Sequence, residues 1–80
     1  MTTVTVLYFA SLRDTAGRSS ELVDTDAGNL RTLYEELEAR HGFGLACDVL
    51  RVAVDGAFAK WQDAVGERQE IAFIPPVSGG

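Results

Sequence analysis

Asn29-Leu30-Arg31-Thr32-Leu33-Tyr34-Glu35-Glu36-Leu37-Glu38-Ala39-Arg40-His41-Gly42 is the stretch from which the rest of the chain takes its meaning. Leu30, Leu33, Tyr34 and Leu37 recur at i, i+3, i+4 and i+7, the spacing that puts one apolar stripe on an amphipathic helix. Glu35, Glu36 and Glu38 fall off that stripe and read as its solvated side. Asn29 or Asp26 can cap the start, since a short polar side chain accepts from the free amides of a first turn. Gly42 stands where a left-handed residue ends a helix. The helix from Leu30 to about His41 spans roughly 18 Å at about 1.5 Å per residue.

Outward from the helix, the pattern switches to alternation. Val4 to Ala10 (VTVLYFA) is β-branched and aromatic and reads as a strand, with Val4, Val6 and Tyr8 on one face. Ser11 to Gly17 reads as a helical turn or loop stopped by glycine. Ser20 to Thr25 is a second strand able to pair back on the first. After the helix, Leu50 to Asp55 alternates again, and Asp55-Gly56 is a strong hairpin signal. Phe58 to Trp61 reads as the returning strand. Val65 to Arg68 is a turn, and Glu70 to Ile74 is the last strand. Pro75-Pro76 ends it, because proline cannot donate to a sheet ladder. The order β-β-α-β-β-β, with one helix on one face of a mixed sheet, is an α+β arrangement.

The chain has 80 residues, enough for one small domain with a modest core. Lys and Arg number 7 against 12 Asp and Glu, for a net charge of −5. That balance argues against a nucleic-acid binder, which needs a basic patch, and against a polybasic membrane anchor. One cysteine and one histidine leave no disulfide framework and no metal constellation. The N-terminal residues lack the charged start and apolar run of a signal peptide, and no stretch approaches a membrane span. The cytoplasm is the expected compartment.

Two features exceed what a bland domain needs. The first is the ending Val77-Ser78-Gly79-Gly80 after Pro75-Pro76. Without Cβ atoms, a Gly-Gly terminus can enter a channel too narrow for other residues. Four residues reach at most about 14 Å at ~3.5 Å each, enough to carry a terminal carboxylate into another protein. The expected division is a folded domain over 1–76 and a flexible C-terminal tail over 77–80. The second feature is the sheet face away from the helix. Alternation puts Leu7, Phe9, Ala53, Ala72 and Ile74 there, with Phe58 able to join them. An uncovered face of an antiparallel sheet is usually polar, so an apolar one suggests a partner surface. The competing reading has the loop from Gly42 to Asp48 folding over it.

The segment Leu7-Tyr8-Phe9-Ala10-Ser11-Leu12-Arg13-Asp14, the hairpin Val52-Ala53-Val54-Asp55-Gly56 and the ending Ile71-Ala72-Phe73-Ile74-Pro75-Pro76-Val77-Ser78-Gly79-Gly80 together resemble the small subunits of molybdopterin synthase. These are sulfur carriers with a ubiquitin-like β-grasp fold, and the resemblance spans essentially the whole chain. The family often has Asn where Asp55 stands and an aromatic where Ile74 stands. The resemblance implies that an ATP-using, ubiquitin-activating-type enzyme adenylates the Gly80 carboxylate. A sulfurtransferase persulfide then yields a Gly80 thiocarboxylate, which attacks cyclic pyranopterin monophosphate in the large synthase subunit. Two sulfurs per dithiolene imply two spent carriers and a heterotetramer. Gly80 would be the reacting residue and Gly79 part of the tail. Leu7, Phe9, Phe58, Ile74, Pro75, Pro76, Val77 and Ser78 would form the partner interface. The chain itself would bind no cofactor and no metal, and would be a sulfur-donating subunit rather than a catalyst by itself. A thiamine-thiazole sulfur carrier, a ubiquitin-like modifier and a β-grasp binding module with an inert tail are the alternatives.

The remaining chemistry-bearing residues have plainer readings. Cys47 reads as a small buried hydrophobe. His41 reads as a packing or capping residue near the helix end. Trp61 reads as a partly buried anchor. Arg13 and Lys60 suit either acidic groups on a partner or solvent.

Overall fold

The computed structural model describes residues 1–76. Its elements are β1 (Thr2–Tyr8), α1 (Ala10–Ala16), β2 (Ser20–Thr25), α2 (Leu30–His41), a 3₁₀ turn (Cys47–Val49), β3 (Arg51–Val54), β4 (Ala57–Ala59) and β5 (Glu70–Ile74). One five-stranded sheet has the order β2-β1-β5-β3-β4. β1 and β5 are parallel at its centre, and the other pairs are antiparallel. A mixed sheet grasping one long helix is the β-grasp, ubiquitin-like fold.

The long helix forms where the periodicity places it. Asn29 Oδ1 accepts from the Thr32 amide at 2.8 Å. Gly42, at φ 71, donates its amide to the Glu38 carbonyl at 2.7 Å. Leu30, Leu33, Tyr34 and Leu37 are all buried, facing Val4, Val6 and Tyr8 of β1, Val52 of β3, and Ile71 and Phe73 of β5. Each such side chain contributes roughly 1.5–3 kcal/mol relative to exposure, so this single layer carries most of the apolar driving force. Phe73 sits at its centre, edge-on to Tyr34 at 5.2 Å and stacked on Trp61 at 5.9 Å.

Three local expectations are corrected. The helical turn or loop read over Ser11 to Gly17 is a seven-residue helix, Ala10–Ala16, stopped by Gly17 as read but long enough to count as an element, so the order is β-α-β-α-β-β-β. Leu12 is its buried residue, and Gly17, at φ 76, closes it by donating its backbone N–H to the Arg13 carbonyl. Consequently β1 stops at Tyr8 instead of Ala10, with Phe9 extended and Ala10 at φ 50 as the chain turns into α1. The returning strand of the hairpin is Ala57–Ala59 and does not reach Trp61. The chain turns there because the Lys60 amide bonds Asp63 Oδ2 at 3.0 Å, which swings Trp61 inward onto Phe73. The hairpin itself is as read: Asp55 and Gly56 take φ 51 and φ 87, the paired left-handed geometry of a tight two-residue turn.

Candidate functional site

The outer face of the sheet is built by register. Phe58 stands opposite Ala53, Ala53 opposite Ala72, and Ala72 opposite Leu7, giving one continuous row across four strands. In the next row Arg51 stands opposite Ile74. Small alanines in the middle and larger side chains at the rim leave a shallow apolar depression of about 290 Å³, bordered by Leu7, Phe9, Phe58 and Ile74. Phe58 is 72% exposed and Phe9 44% exposed, while Leu7 and Ile74 are half-buried. Large apolar side chains left in water on a flat surface are the composition of an interface core.

The loop from Gly42 to Asp48 does not cover this face. It lies on the helix side, where Phe43 and Leu45 pack against the core and the Leu45 carbonyl accepts from the Tyr34 hydroxyl at 2.6 Å. Among the described residues, therefore, the apolar outer face stands open.

Two grooves run along either side of Ile74, Pro75 and Pro76. One, of about 750 Å³, is walled by Phe9, Ala10, Ser11 and Arg13. The other, of about 500 Å³, is walled by Asp48, Val49, Leu50 and Arg51. Pro75 is buried and Pro76 exposed, so the first proline seats the end of β5 and the second faces outward. Of the residues singled out in the sequence, the structure thus brings together Leu7, Phe9, Phe58, Ile74, Pro75 and Pro76. Val77, Ser78, Gly79 and Gly80 lie outside the described residues.

Sequence reading missed two arrangements. Arg51 lies over the Phe58 ring, with Cζ 5.9 Å from its centroid, so the rim carries a cation as well as an aromatic. On the other side of the molecule, Tyr8, Glu21 and His41 form a network. The Tyr8 hydroxyl donates to Glu21 Oε2, and His41 Nε2 lies 2.9 Å from the same oxygen. Arg18 adds an ion pair at 3.7 Å. Burial by itself raises the Glu21 carboxyl. The hydrogen bonds from Tyr8 and His41, with the His41 and Arg18 charges, outweigh it and hold the group below the usual carboxylate range. Burial, reinforced by Glu21, pushes the Tyr8 phenol well above its ordinary value. His41 is thus a packing and pairing residue joining the end of α2 to β2.

Cys47 is buried, and burial pushes its thiol up, with nearby Asp48 adding to the effect and Arg31 opposing it. A thiol held protonated is a weak nucleophile. Burial, followed by Glu38, likewise pushes the Tyr34 phenol up to about 12. The exposed apolar set is suited to recognition rather than to bond-making.

Comparison with known proteins agrees with this geometry. The chain is 35% identical over 86 aligned residues to the molybdopterin synthase sulfur carrier subunit of Mycosarcoma maydis, covering 96% of this chain and 92% of that one. It is 33% identical over 85 residues to the protein of that name from Mycobacterium tuberculosis, covering all of both. Among solved structures, a putative molybdopterin converting factor subunit 1 from Pyrococcus furiosus superposes with a TM-score of 0.82 at 29% identity, covering 96% of this chain and 100% of that one. SAMP1 from Haloferax volcanii superposes with a TM-score of 0.80 at 27% identity, covering 98% and 99%. The ThiS family matches residues 6–80, and with relatives of this identity over nearly the full length, the chain belongs to the ThiS family, alongside the molybdopterin synthase sulfur carrier subunits.

Proposed function

We propose that this chain is the sulfur-carrier small subunit of a molybdopterin synthase and that its chemistry takes place at the Gly80 carboxylate. The observation that carries the reading is an open apolar sheet face that converges on Ile74, Pro75 and Pro76, directly before Val77-Ser78-Gly79-Gly80 in sequence. A docking surface at the root of a slender, side-chain-poor terminus suits a protein that delivers its last residue into a partner.

The chemistry follows from the weakness of a carboxylate as an electrophile. Its charge is delocalised, and substitution would expel oxide. Attack of the Gly80 carboxylate on the α-phosphorus of ATP, with loss of pyrophosphate, makes an acyl adenylate whose leaving group is AMP. The terminal sulfur of a sulfurtransferase persulfide displaces that AMP, and a thiol cleaves the resulting S–S bond to free the thiocarboxylate. This product is anionic and nucleophilic through sulfur. Docked in the large synthase subunit, it attacks cyclic pyranopterin monophosphate at high effective concentration, and hydrolysis of the resulting acyl–sulfur bond leaves the sulfur on the pterin and returns the Gly80 carboxylate. Two carriers supply the two dithiolene sulfurs, consistent with a heterotetramer. ATP belongs to the activating enzyme and not to this chain, and the cytoplasm is the compartment in which these reactants meet. The relatives' names and the buried, unreactive setting of Cys47 both support Gly80 as the site of sulfur loading.

The test is to prepare the Gly80 thiocarboxylate and mix it with the organism's large subunit and cyclic pyranopterin monophosphate. Dithiolene pterin formed in step with thiocarboxylate lost is the expected result. Intact thiocarboxylate with no product, given an active large subunit, would overturn the reading. Deleting Gly79 and Gly80, or adding one residue after Gly80, should abolish turnover while leaving the fold intact.

A second reading, as a ubiquitin-like modifier, is favoured by the likeness to SAMP1 and by the Gly-Gly ending. It requires isopeptide bonds between Gly80 and lysines of other proteins, which mass spectrometry of cell lysates would reveal.

A further inference from the structure

β2 is the free edge of the sheet on the side away from the hairpin. In an antiparallel ladder, alternate residues turn their N–H and C=O toward the neighbouring strand, and the residues between turn theirs away. The Tyr8 amide donates to the Ser19 carbonyl, and the ladder pairs Val6 with Glu21 and Val4 with Val23. Glu21, Val23 and Thr25 therefore face β1. Ser20, Leu22 and Asp24 turn their backbone groups outward, where no described residue bonds them.

Ser20, Leu22 and Asp24 are also exposed, Leu22 at 75%. Native sheets blunt such an edge with proline, lysine, a bulge or an inward-pointing charge. β2 has no proline or lysine, and its register with β1 is unbroken. Its inward-facing charge, Glu21, is turned onto Tyr8 and His41 with 9% of its side chain exposed, so it does not guard the edge. From α2, Glu36 bonds Thr25 within the same copy, and Arg40 is exposed.

Identical antiparallel strands pair about a two-fold axis normal to the sheet, so each residue meets one on its own face. Centring the axis on Glu21 sets two carboxylates together. Centring it on Val23 sets Leu22 against Asp24. Centring it on Leu22 sets Leu22 against Leu22, Ser20 against Asp24 and Glu21 against Val23. There alone do all three outward-turned residues find one another. Just beyond the strand, the same register carries Arg18 toward the second copy's Asp26. Both side chains are exposed, Arg18 lying 3.7 Å from Glu21 and Asp26 3.7 Å from the N-terminal amine.

We infer that β2 pairs with β2 of a second copy, antiparallel about Leu22, joining two molecules into one continuous sheet. The inference does not rest on the proposed function. β1 separates β2 from the strands that carry Phe58 and Ile74, so the pair leaves those residues open. An edge contact with little apolar core is small and weak.

The experiment is sedimentation velocity of the full-length protein from about 10 μM to about 1 mM, where weak pairs assemble. Wild type should pass from monomer to dimer across that range. L22D sets two carboxylates opposite each other and should weaken the dimer at least about tenfold. Its melting temperature should stay near that of wild type, because Leu22 is already in water. R18D and D26R should each weaken the dimer, and R18D/D26R together should recover most of the loss, since opposite charges again meet across the axis. F58S should leave the dimer unchanged. A wild type still monomeric at 1 mM overturns the inference and leaves the edge to a strand of another protein. A dimer that L22D spares, or that F58S dissolves, overturns it as well. A double variant no better than its singles overturns the register. Arg18 and Asp26 lie outside the strand, so the charge exchange keeps the test intact if L22D disturbs the fold.

Discussion

Val52 and Ala53 are consecutive residues of one strand that meet opposite surroundings. Val52 is 2% exposed beneath α2. Ala53 faces the other way, in a row where Phe58 is exposed, Leu7 half-buried and only Ala72 buried, on a face that no described helix or loop lies across. Both faces of the sheet are apolar, yet only one is closed by its own chain. The difference separates two uses of the same residue types. On the inner face, apolar area is withdrawn from water during folding and sets stability. On the outer face the described helices and loops do not make that withdrawal, which is what the proposed docking surface requires.

The sharpest way to break this comparison is at Phe73, wedged between Tyr34 and Trp61. Phe73→Ala should cost about 3–5 kcal/mol, a large part of the roughly 5–15 kcal/mol that holds a small domain together. Urea denaturation would show the midpoint collapsing. A loss under 1 kcal/mol would mean the inner face is not the cohesive one.

Next in size is the Tyr8–Glu21–His41 network, which ties the end of the inner-face helix to β2. Hydrogen bonds to a charged group are worth about 1.5–3 kcal/mol, the loss expected for Glu21→Gln at neutral pH. The pH dependence has a fixed sign. Because the folded state lowers the Glu21 carboxyl below its ordinary value of 4.5, the unfolded chain binds the proton first on acidification. The stabilisation is complete above about pH 4.5 and is lost as pH falls through the lowered folded value. E21Q should flatten that part of the acid limb in denaturation curves taken at stepped pH.

Gly56 tests the hairpin that carries Phe58 to the outer face. Its φ of 87 is one that a side chain resists, and a Cβ there would meet no atom within 4 Å. Gly56→Ala should therefore cost roughly 1–2 kcal/mol of backbone strain alone. The smallest effect on stability belongs to Phe58→Ser, within about 0.5 kcal/mol because the ring already stands in water. The same substitution should weaken large-subunit binding by more than about 1 kcal/mol if the outer face is the docking surface. Isothermal titration beside thermal melting separates the two. A substitution that lowers melting and leaves binding unchanged would reverse the assignment of the faces.

The features legible in the sequence were those fixed by local chemistry. Asn29, the leucine spacing and Gly42 set α2, Asp55-Gly56 set the hairpin, and Pro75-Pro76 ended β5, each acting within a few residues. Alternation also separated Leu7 and Ile74 from Val6 and Phe73. Residues 10–16 were harder to read, because the short helix buries a single residue, Leu12, and shows no apolar stripe. The end of β4 is not legible, because Trp61 looks like a strand residue until tertiary packing turns it toward Phe73. The Tyr8–Glu21–His41 network and the approach of Arg51 to Phe58 join residues brought together only by folding. The loop from Gly42 to Asp48 had two possible destinations, and the Tyr34–Leu45 hydrogen bond marks the one it takes.

The parallel pair at the centre of the sheet, Thr5 beside Glu70 and Tyr8 beside Phe73, joins the first strand to the last. A ribosome releases the chain from the N-terminus, so β1 waits while β2, α2, β3 and β4 are made before its central neighbour emerges. Until residues 70–74 emerge, the inner ends of β1 and β3 face a gap, and α2 has no Phe73 to pack on. Contacts this distant in sequence make folding slow relative to a local helical bundle. The nascent protein therefore folds as a late, single event, and during that interval its open strand edges are what a holding chaperone would protect.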